Sequence, residues 1–443
     1  MKYVPPWKQP YFIGIAGCSG SGKTSITNIL TQKLNVPWTI QLSMDNFYKQ
    51  ISDEDREKAF RGDLGFDEPG ALDFDLIVEV LNDLKQGKRT QIPVYSFCTH
   101  SRTDKRIQIY GANIVILEGI LTLYDPRVRE LLDLMIFVEE DYDVCLARRL
   151  SRDIQERGRE LKSAIYQWHK FVKPSYISSI LPTSRLADFV VPKGRENKVA
   201  IDMILGHIRN QLSQISRSHL EDLQRLGDKS SDLSDFSWQL PLSNQGHGIH
   251  TILVDKKTSR DDFVFYFNRM GDILITFALE KTFDKLGQPK SVTTPMGGTY
   301  DGYEVSFEDI AAVTMVRGGE CFENALKASV PTVKLGRLLI QSDSHTGEPQ
   351  LHTQSLPECI LDGRAKQVLI LDTQILSGSA AVMACAVLVD HGVSEENIIF
   401  IAYSASEIGL RRIHSAFPKV MVVYAILSTQ PIVLDLDCKY YGT

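Results

Sequence analysis

The sequence predicts an α/β protein of two domains, the first with a parallel sheet covered by helices on both faces. Short apolar, β-branched runs alternate with helical runs from residue 11 to about residue 212, and a second alternation begins near residue 250. The third observation is the segment GCSGSGKT at residues 17–24, which follows an apolar run and precedes a helical one. A strand, a glycine-rich turn and a helix in this order predict a phosphate-binding P-loop.

The alternation places five strands in each domain. The expected strands are 12–16, 39–42, 114–117, 134–138 and 188–191, then 312–316, 337–341, 368–371, 398–402 and 420–427. Helices of the second domain are expected at 262–283, 320–329, 379–391 and 407–416. Residues 213–249 are rich in Ser, Asp, Gln and Asn and predict a mostly loop-like linker, which Trp238 could fasten to a neighbouring surface. The predicted domains are therefore residues 1–212 and 250–443.

Composition excludes several classes of protein. The 443 residues are 43% apolar and 23% charged with a net charge of −6, so the chain has no basic excess for nucleic acid. Seven scattered cysteines without a C-x-x-C pair indicate reduced thiols rather than a disulfide framework or a zinc site. The longest apolar stretch, 375–389, is interrupted by serines and predicts a buried helix rather than a membrane span. We expect a cytoplasmic or nuclear protein that does not bind membranes.

The P-loop predicts a nucleoside triphosphate site. Its glycines allow backbone N–H groups to face the phosphates, and the following helix adds the partial positive charge of its N-terminus. Lys23 would reach the β- and γ-phosphates, and the Thr24 hydroxyl would bind Mg²⁺. A chance match in a Gly/Ser-rich turn is the alternative, which the flanking strand and helix disfavour. The ATP-binding residues predicted here are Gly17, Ser19, Gly20, Ser21, Gly22, Lys23, Thr24 and Ser25.

Two carboxylates follow predicted strands of the same domain. Asp45 lies just beyond the second strand, where ligands of parallel sheets bind, and could accept the proton of an attacking hydroxyl. A helix N-cap is the alternative role, and the two roles do not exclude each other. Glu118 ends the strand at 114–117 and could hold the Mg²⁺ shell through water, with an ordinary strand-end acid as the alternative.

Two further segments narrow the chemistry. Arginines at 148, 149 and 152 recur at helical spacing before Gly158, which predicts a mobile cationic lid beside the triphosphate rather than a solvated face. In the segment 93–102, Tyr95 and Phe97 alternate and would share one face of an extended chain. Such a face suits a flat heteroaromatic ring, with His100 hydrogen-bonding its polar edge, although core packing is the commoner reason for this pattern.

Together these segments resemble the uridine–cytidine kinase family across residues 10–212. The matching stretches are GCSGSGKT, SMDNFYK, FDEPGALD, IPVYSFCTHSR, ILEGIL, ARRLSRDIQERGR and KPSYISSILPTSRLAD, in this order. The resemblance implies a P-loop kinase that uses Mg²⁺ and ATP (or GTP) to phosphorylate the 5′-hydroxyl of uridine or cytidine in pyrimidine salvage. It also implies a homo-oligomer, dimer or tetramer, that UTP and CTP inhibit.

The resemblance assigns roles to individual residues. Asp45 is implied as the general base, with Lys23 and Arg152 as the other catalytic residues. Asp67 and Arg149 are implied to hold the ribose hydroxyls. The remaining implied nucleoside contacts are Tyr48, Phe66, Tyr95, Phe97, His100, Ile120, Arg159 and Gln167, and the implied lid contacts to phosphate are Arg152 and Arg157.

Residues 250–443 resemble uracil phosphoribosyltransferase, through stretches such as VTMVRGGECFENAL and KLGRLLIQSDSHTGEPQLH. The loop for phosphoribosyl pyrophosphate (PRPP) departs from the active pattern and retains only Asp372, Ser377 and Gly378. The expected uracil loop, residues 434–439, contains no glycine, so its side chains would block close approach to the ring. Arg317 and Arg269 could still bind an anion. We expect a non-catalytic domain with a vestigial PRPP site; a bifunctional enzyme that also makes UMP from uracil, and a non-enzymatic nucleotide sensor, are the alternatives.

Overall fold

The computed structural model describes residues 3–97, 99–156, 158–228, 237–305, 309–343, 346–428 and 437–441. The chain divides into two compact units, one of residues 4–215 and one of residues 216–443 together with residues 1–3. Both units contain a largely parallel sheet with helices, so the predicted α/β class is confirmed. No helix within these ranges combines the length and the apolar content needed to cross a bilayer.

The first unit is built on a five-stranded parallel sheet with the order β2–β5–β1–β6–β7. A separate antiparallel hairpin is formed by β3 and β4. The strands of this unit are β1 Tyr11–Gly17, β2 Thr39–Ser43, β3 Thr90–Ser96, β4 Ser101–Ile109, β5 Ile114–Glu118, β6 Leu134–Glu139 and β7 Phe189–Pro192. Its helices are α1 Lys23–Leu34, α2 Asp53–Arg61, α3 Phe74–Lys85, α4 Pro126–Arg129, α5 Tyr142–Gln155, α6 Leu161–Gln167 and α7 Lys173–Ser175, together with the first part of α8 Lys198–Gly227, which continues into the second unit from residue 216.

Burial on both faces explains why the sheet strands read as continuous apolar runs. Alternate residues of β1 enter different cores, since successive side chains point to opposite faces. Phe12 packs in the core that includes α3, whereas Ile13 and Ile15 pack in the core that includes α1 and α8. All seven residues of β1 are buried. The P-loop therefore begins from a rigid central strand.

The second unit contains a seven-stranded sheet with the order β13–β12–β11–β14–β15–β16–β8 and a separate hairpin of β9 and β10. Only the β12–β13 pair in the larger sheet is antiparallel among the described ladders. The strands are β8 Ser237–Gln239, β9 Gly287–Thr293, β10 Thr299–Val305, β11 Ile310–Met315, β12 Lys334–Ser342, β13 Pro349–Ser355, β14 Gln367–Ile375, β15 Ile398–Ser406 and β16 Met421–Ser428. The helices are α9 Asn244–Val254, α10 Arg260–Leu286, α11 Glu323–Ser329, α12 Glu358–Leu361, α13 Ser379–Asp390 and α14 Glu407–Ala416.

All ten predicted strands exist, with ends that differ by a few residues. Asp188, Val316 and Val420 lie outside the strands to which they were assigned. The helix expected at 320–329 starts as a 3₁₀ turn at Gly318–Phe322 before α11. The stretch 375–389 forms a buried helix from Ser379 onward, and all eight residues from 381 to 388 of α13 are buried.

The loop-like interpretation of residues 213–249 is wrong for most of that segment. Helix α8 continues to Gly227, β8 adds a strand to the second sheet, and α9 begins at Asn244. Trp238 lies on β8 opposite Val423 and packs against the core of the second unit. Polar side chains on the exposed face of a helix produced the loop signal, and the SSDLSD segment lies outside the described residues.

Candidate active site

The P-loop turns sharply between β1 and α1. Gly20 and Gly22 have φ angles of +88° and +96°, which residues with a Cβ rarely adopt. A Cβ on Gly20 would lie 2.4 Å from the carbonyl oxygen of Cys145 on α5. The glycine at position 20 is therefore required both by its conformation and by the closeness of α5.

Lys23 is the first residue of α1 and is buried at the floor of the loop. Its Nζ donates to the carbonyl oxygens of Cys18 at 2.9 Å and Gly17 at 3.3 Å. Burial lowers the pKa of Lys23, and the nearby carboxylate of Glu118 opposes that shift. The ammonium group is thus held inside the loop, at the place where phosphate oxygens are bound in P-loops.

Thr24 and Glu118 meet across the adjacent ends of α1 and β5. The Thr24 hydroxyl lies 3.1 Å and 3.0 Å from the two carboxylate oxygens of Glu118. Burial raises the pKa of Glu118, while Lys23 and the Thr24 hydrogen bond act in the opposite direction. One hydroxyl and one carboxylate beside a phosphate loop form the hard oxygen donor set that suits Mg²⁺.

Asp45 is part of a 3₁₀ turn, Met44–Phe47, that directly follows β2. The N-cap of this turn is Ser43, whose hydroxyl accepts from the Asp45 backbone N–H at 3.3 Å. The N-cap alternative for Asp45 is therefore wrong, because the cap lies two residues earlier. The part-buried Asp45 lines the same cavity as Lys23 and Glu118.

Aromatic rings form the other end of this cavity. The ring of Tyr95 lies 5.1 Å from that of Tyr48 and 5.4 Å from that of Phe97. Tyr95 belongs to β3, and Phe97 follows the end of that strand. The alternation that predicted a shared aromatic face thus places both rings against the cavity.

His100 also lines this aromatic end. The residue is buried and has a φ angle of +50°, a conformation that His tolerates better than most residues. Its imidazole stacks on Phe66 at 5.2 Å with an interplanar angle of 10°, and the ring of Phe60 lies 5.3 Å away. The ring is therefore fixed before any ligand arrives.

Arg102 supports the aromatic end from outside the cavity, and the sequence analysis assigned it no role. Its Nε donates to the Tyr48 carbonyl oxygen at 2.8 Å, and its Nη2 lies 3.0 Å from the Asp73 carboxylate. Asp73 also caps α3 by accepting from the Leu76 N–H. The His-Ser-Arg order of the matched stretch was the available signal.

Asp67 and Arg149 form a buried ion pair within the cavity wall. Arg149 Nη1 lies 3.2 Å from Asp67 Oδ1, and the two side chains are 9% and 10% exposed. Burial opposes the charge of Arg149, but the carboxylates of Asp67 and Asp153 together raise its pKa. The pair presents a donor and an acceptor side by side, which suits a vicinal diol.

Two of the three helical arginines predicted for the lid line the cavity. Arg149 and Arg152 line the cavity, whereas Arg148 lies outside its lining and bonds Glu140 at 2.9 Å. Arg159 donates to Gln167 Oε1 at 2.8 Å, and both line the cavity. Arg157 lies outside the described residues.

One cavity therefore contains most of the residues predicted for the site. Gln167 ends α6, and a π-helical turn at Trp168–Val172 follows it and brings Phe171 and Val172 into the lining. The predicted residues in the lining are Ser19, Lys23, Thr24, Asp45, Tyr48, Phe66, Asp67, Tyr95, Phe97, His100, Glu118, Ile120, Arg149, Arg152, Arg159 and Gln167. The sequence analysis missed Ser43, Leu64, Gly119, Phe171 and Val172, which no polar or glycine pattern distinguished.

The predicted PRPP residues of the second unit come from two segments of the chain: Arg317 follows β11, and Asp372, Ser377 and Gly378 lie on or just after β14. Asp372 is part-buried within β14, where desolvation raises its pKa to about 7, and its carboxylate accepts from the Thr373 N–H at 2.7 Å. Ser377 and Gly378 lie in the loop after β14, and the Ser377 carbonyl oxygen accepts from Arg412 at 2.7 Å.

Arg317 follows β11 and lies under the C-terminal segment. The Tyr441 ring centre is 5.6 Å from its guanidinium carbon, and the Tyr441 hydroxyl is 2.5 Å from its carbonyl oxygen. Tyr441 thus covers one face of the guanidinium that was predicted to bind an anion. Residues 434–436 of the expected uracil loop lie outside the described residues.

Comparison with known proteins matches both units. Residues 12–200 match the phosphoribulokinase/uridine kinase family, and residues 241–431 match the uracil phosphoribosyltransferase family. A uridine kinase of Saccharomyces cerevisiae is 45% identical over 100% of this chain and 90% of its own length. A uridine kinase of Schizosaccharomyces pombe is 39% identical (99% and 97%), and uridine-cytidine kinase-like 1 of Mus musculus is 40% identical (99% and 82%). The chain therefore belongs to the uridine kinase family, and a region of the uracil phosphoribosyltransferase family follows its kinase region in the sequence.

Proposed function

We propose that this chain is a pyrimidine ribonucleoside kinase that transfers the γ-phosphoryl group of ATP to the 5′-hydroxyl of uridine or cytidine. The observation that carries the proposal is the single cavity described above. Its P-loop end carries Lys23, and its other end carries the aromatic cluster. The names of the relatives support the same substrate class.

The arrangement of the cavity suits a nucleoside in one orientation. The rings of Tyr95 and Phe97 would enclose the pyrimidine, and the imidazole of His100 would bond its polar edge. The ion pair of Asp67 and Arg149 would hold the ribose diol. This orientation directs the 5′-hydroxyl toward Asp45 and the P-loop.

Phosphoryl transfer requires a base for the hydroxyl and positive charge around the phosphate. Asp45 would accept the 5′-hydroxyl proton as the oxygen bonds to the γ-phosphorus and the bond to the ADP oxygen breaks. Lys23 and Arg152 would stabilise the charge on the transferring oxygens. Thr24 and Glu118 would hold Mg²⁺, which when bound neutralises phosphate charge.

The second unit would act as a non-catalytic, oligomerising or regulatory domain. The contact of the Tyr441 ring with Arg317 and the hydrogen bond from the Thr373 N–H to the Asp372 carboxylate both support this proposal. We expect a dimer or tetramer that UTP and CTP inhibit. A bifunctional enzyme is the second candidate, because Arg317, Asp372, Ser377 and Gly378 are all retained.

Product assays on the full chain test these proposals. Uridine with ATP and Mg²⁺ should yield UMP and ADP, cytidine should yield CMP, and uracil with PRPP should yield no UMP. Parallel reactions with GTP measure the donor preference. The variant Lys23→Ala serves as the control for contaminating kinase. Absence of uridine phosphorylation would contradict the kinase proposal, and uracil-dependent UMP formation would support the bifunctional candidate.

A further inference from the structure

The carboxylate of Asp153 lies behind the cavity and is completely buried. It belongs to the last turn of α5, and its side chain is 0% exposed. Its Oδ1 accepts from Arg152 Nε at 3.1 Å and from Arg152 Nη2 at 3.0 Å. Its Oδ2 accepts from Arg159 Nη1 at 3.1 Å and lies 3.6 Å from Arg149 Nε. One buried carboxylate therefore contacts the guanidinium groups of three arginines among the described residues.

Each of these arginines leads to a different part of the cavity. Arg152 Nη2 lies 3.5 Å from the Ser19 hydroxyl of the P-loop, at the end where a triphosphate would bind. Arg149 is paired with Asp67 at 3.2 Å, at the end where the ribose would bind. Arg159 donates to Gln167, whose side chain also lines the nucleoside end.

Electrostatics makes the shared carboxylate necessary. Three guanidinium groups close together repel one another, and a buried carboxylate without partners is strongly unfavourable. The Asp153 carboxylate offsets the repulsion among these guanidinium groups, and they in turn compensate its burial. A ligand that draws Arg152 toward phosphate therefore changes how strongly Asp153 holds Arg149.

We propose that Asp153 is a positioning residue that couples the triphosphate and nucleoside ends of the cavity, so that each substrate binds more tightly when the other is present. The inference rests on the proposed kinase function, because it needs both ligands in this cavity. Asp153 itself touches neither substrate. Its effect is transmitted by Arg152 and Arg149, and coupling between two sites is necessarily reciprocal.

Calorimetry on the full chain measures this coupling. The dissociation constant of uridine is determined with and without the non-hydrolysable analogue β,γ-methylene-ATP and Mg²⁺, and that of the analogue with and without uridine. In the unmodified protein we expect the same increase in affinity in both directions, of about 5–150-fold. In Asp153→Asn we expect both ratios to fall toward one, because the neutral amide binds the guanidiniums weakly.

Two further variants distinguish coupling from general damage. Asp133→Asn is the matched control, since that carboxylate accepts from the Phe12 N–H at 2.8 Å at the opposite end of the strands, and it should retain the full ratio. If Asp153→Asn does not fold, Arg152→Gln tests the same path at a side chain that is 33% exposed. It should bring both ratios toward one, and the analogue alone should also bind more weakly, since Arg152 lies at the triphosphate end.

The outcomes separate the two proposals. Failure of the unmodified protein to bind uridine would contradict the kinase function itself. If the unmodified protein binds both ligands, then ratios of one, or an unchanged ratio in Asp153→Asn or in Arg152→Gln, would overturn the role of Asp153. A ratio lost in these variants and kept in Asp133→Asn supports it.

Discussion

The substitution Asp67→Asn tests the ribose site most directly. It retains the shape of the side chain but removes the negative charge that faces Arg149 at 3.2 Å. In the proposed complex, that carboxylate accepts from a ribose hydroxyl. The substitution therefore weakens recognition of the sugar without enlarging the cavity.

The structure sets the expected size of the effect. A hydrogen bond to a charged group contributes about 1.5–3 kcal/mol and a neutral one about 1 kcal/mol, so the loss is about 1–2 kcal/mol. This corresponds to about a 5–30-fold decrease in kcat/KM for uridine. The folded state should lose less than the ~3–5 kcal/mol of a stranded buried charge, since Arg149 keeps Asp153 at 3.6 Å.

Discrimination between uridine and 2′-deoxyuridine gives the decisive assay. 2′-Deoxyuridine lacks the 2′-hydroxyl, so it has less to lose than uridine when the Asp67 charge is removed. In Asp67→Asn the ratio of kcat/KM for uridine to that for 2′-deoxyuridine should therefore fall by about threefold or more. Asp63→Asn is the matched control, because Asp63 pairs with Lys170 at 3.1 Å on the surface and is 48% exposed. An unchanged ratio in folded Asp67→Asn would refute the assignment of Asp67 to the ribose.

Three other substitutions or deletions test the remaining assignments. Asp45→Asn should lower kcat by about 10²–10⁴-fold with ATP affinity nearly unchanged, and a variant that retains more than about a tenth of kcat would exclude a general base at this position. His100→Asn, which tolerates the left-handed backbone, should weaken uridine binding by about 1–3 kcal/mol and spare ATP, because it loses the ring stacked on Phe66; equal losses for both ligands would indicate a structural role. Ending the chain after residue 228, beyond the end of α8, should reduce the number of subunits per particle in solution and the inhibition by UTP. The same subunit number and the same inhibition in both chains would contradict an oligomerising or regulatory second unit.

Local sequence determined the parts of this protein that depend on neighbouring residues. Ten strands of the two larger sheets were predicted to within a few residues, because strand, turn and helix preferences act over a few positions, whereas β8 and β13 were not predicted. The alternation of Tyr95 and Phe97 likewise fixed a shared face. The resemblance to a family then connected these separate signals into one site.

Only the tertiary structure decided which partners distant residues acquire. Helix α8 continues into the predicted loop, because in that part Leu223 and Leu226 are buried while Glu221 and Arg225 face solvent. In the sequence, Asp153 is one acidic residue within a cationic segment. In the structure, its buried carboxylate contacts Arg149, Arg152 and Arg159. Burial converts an ordinary surface acid into a required counter-ion, and burial is a property of the whole fold rather than of the sequence around one residue.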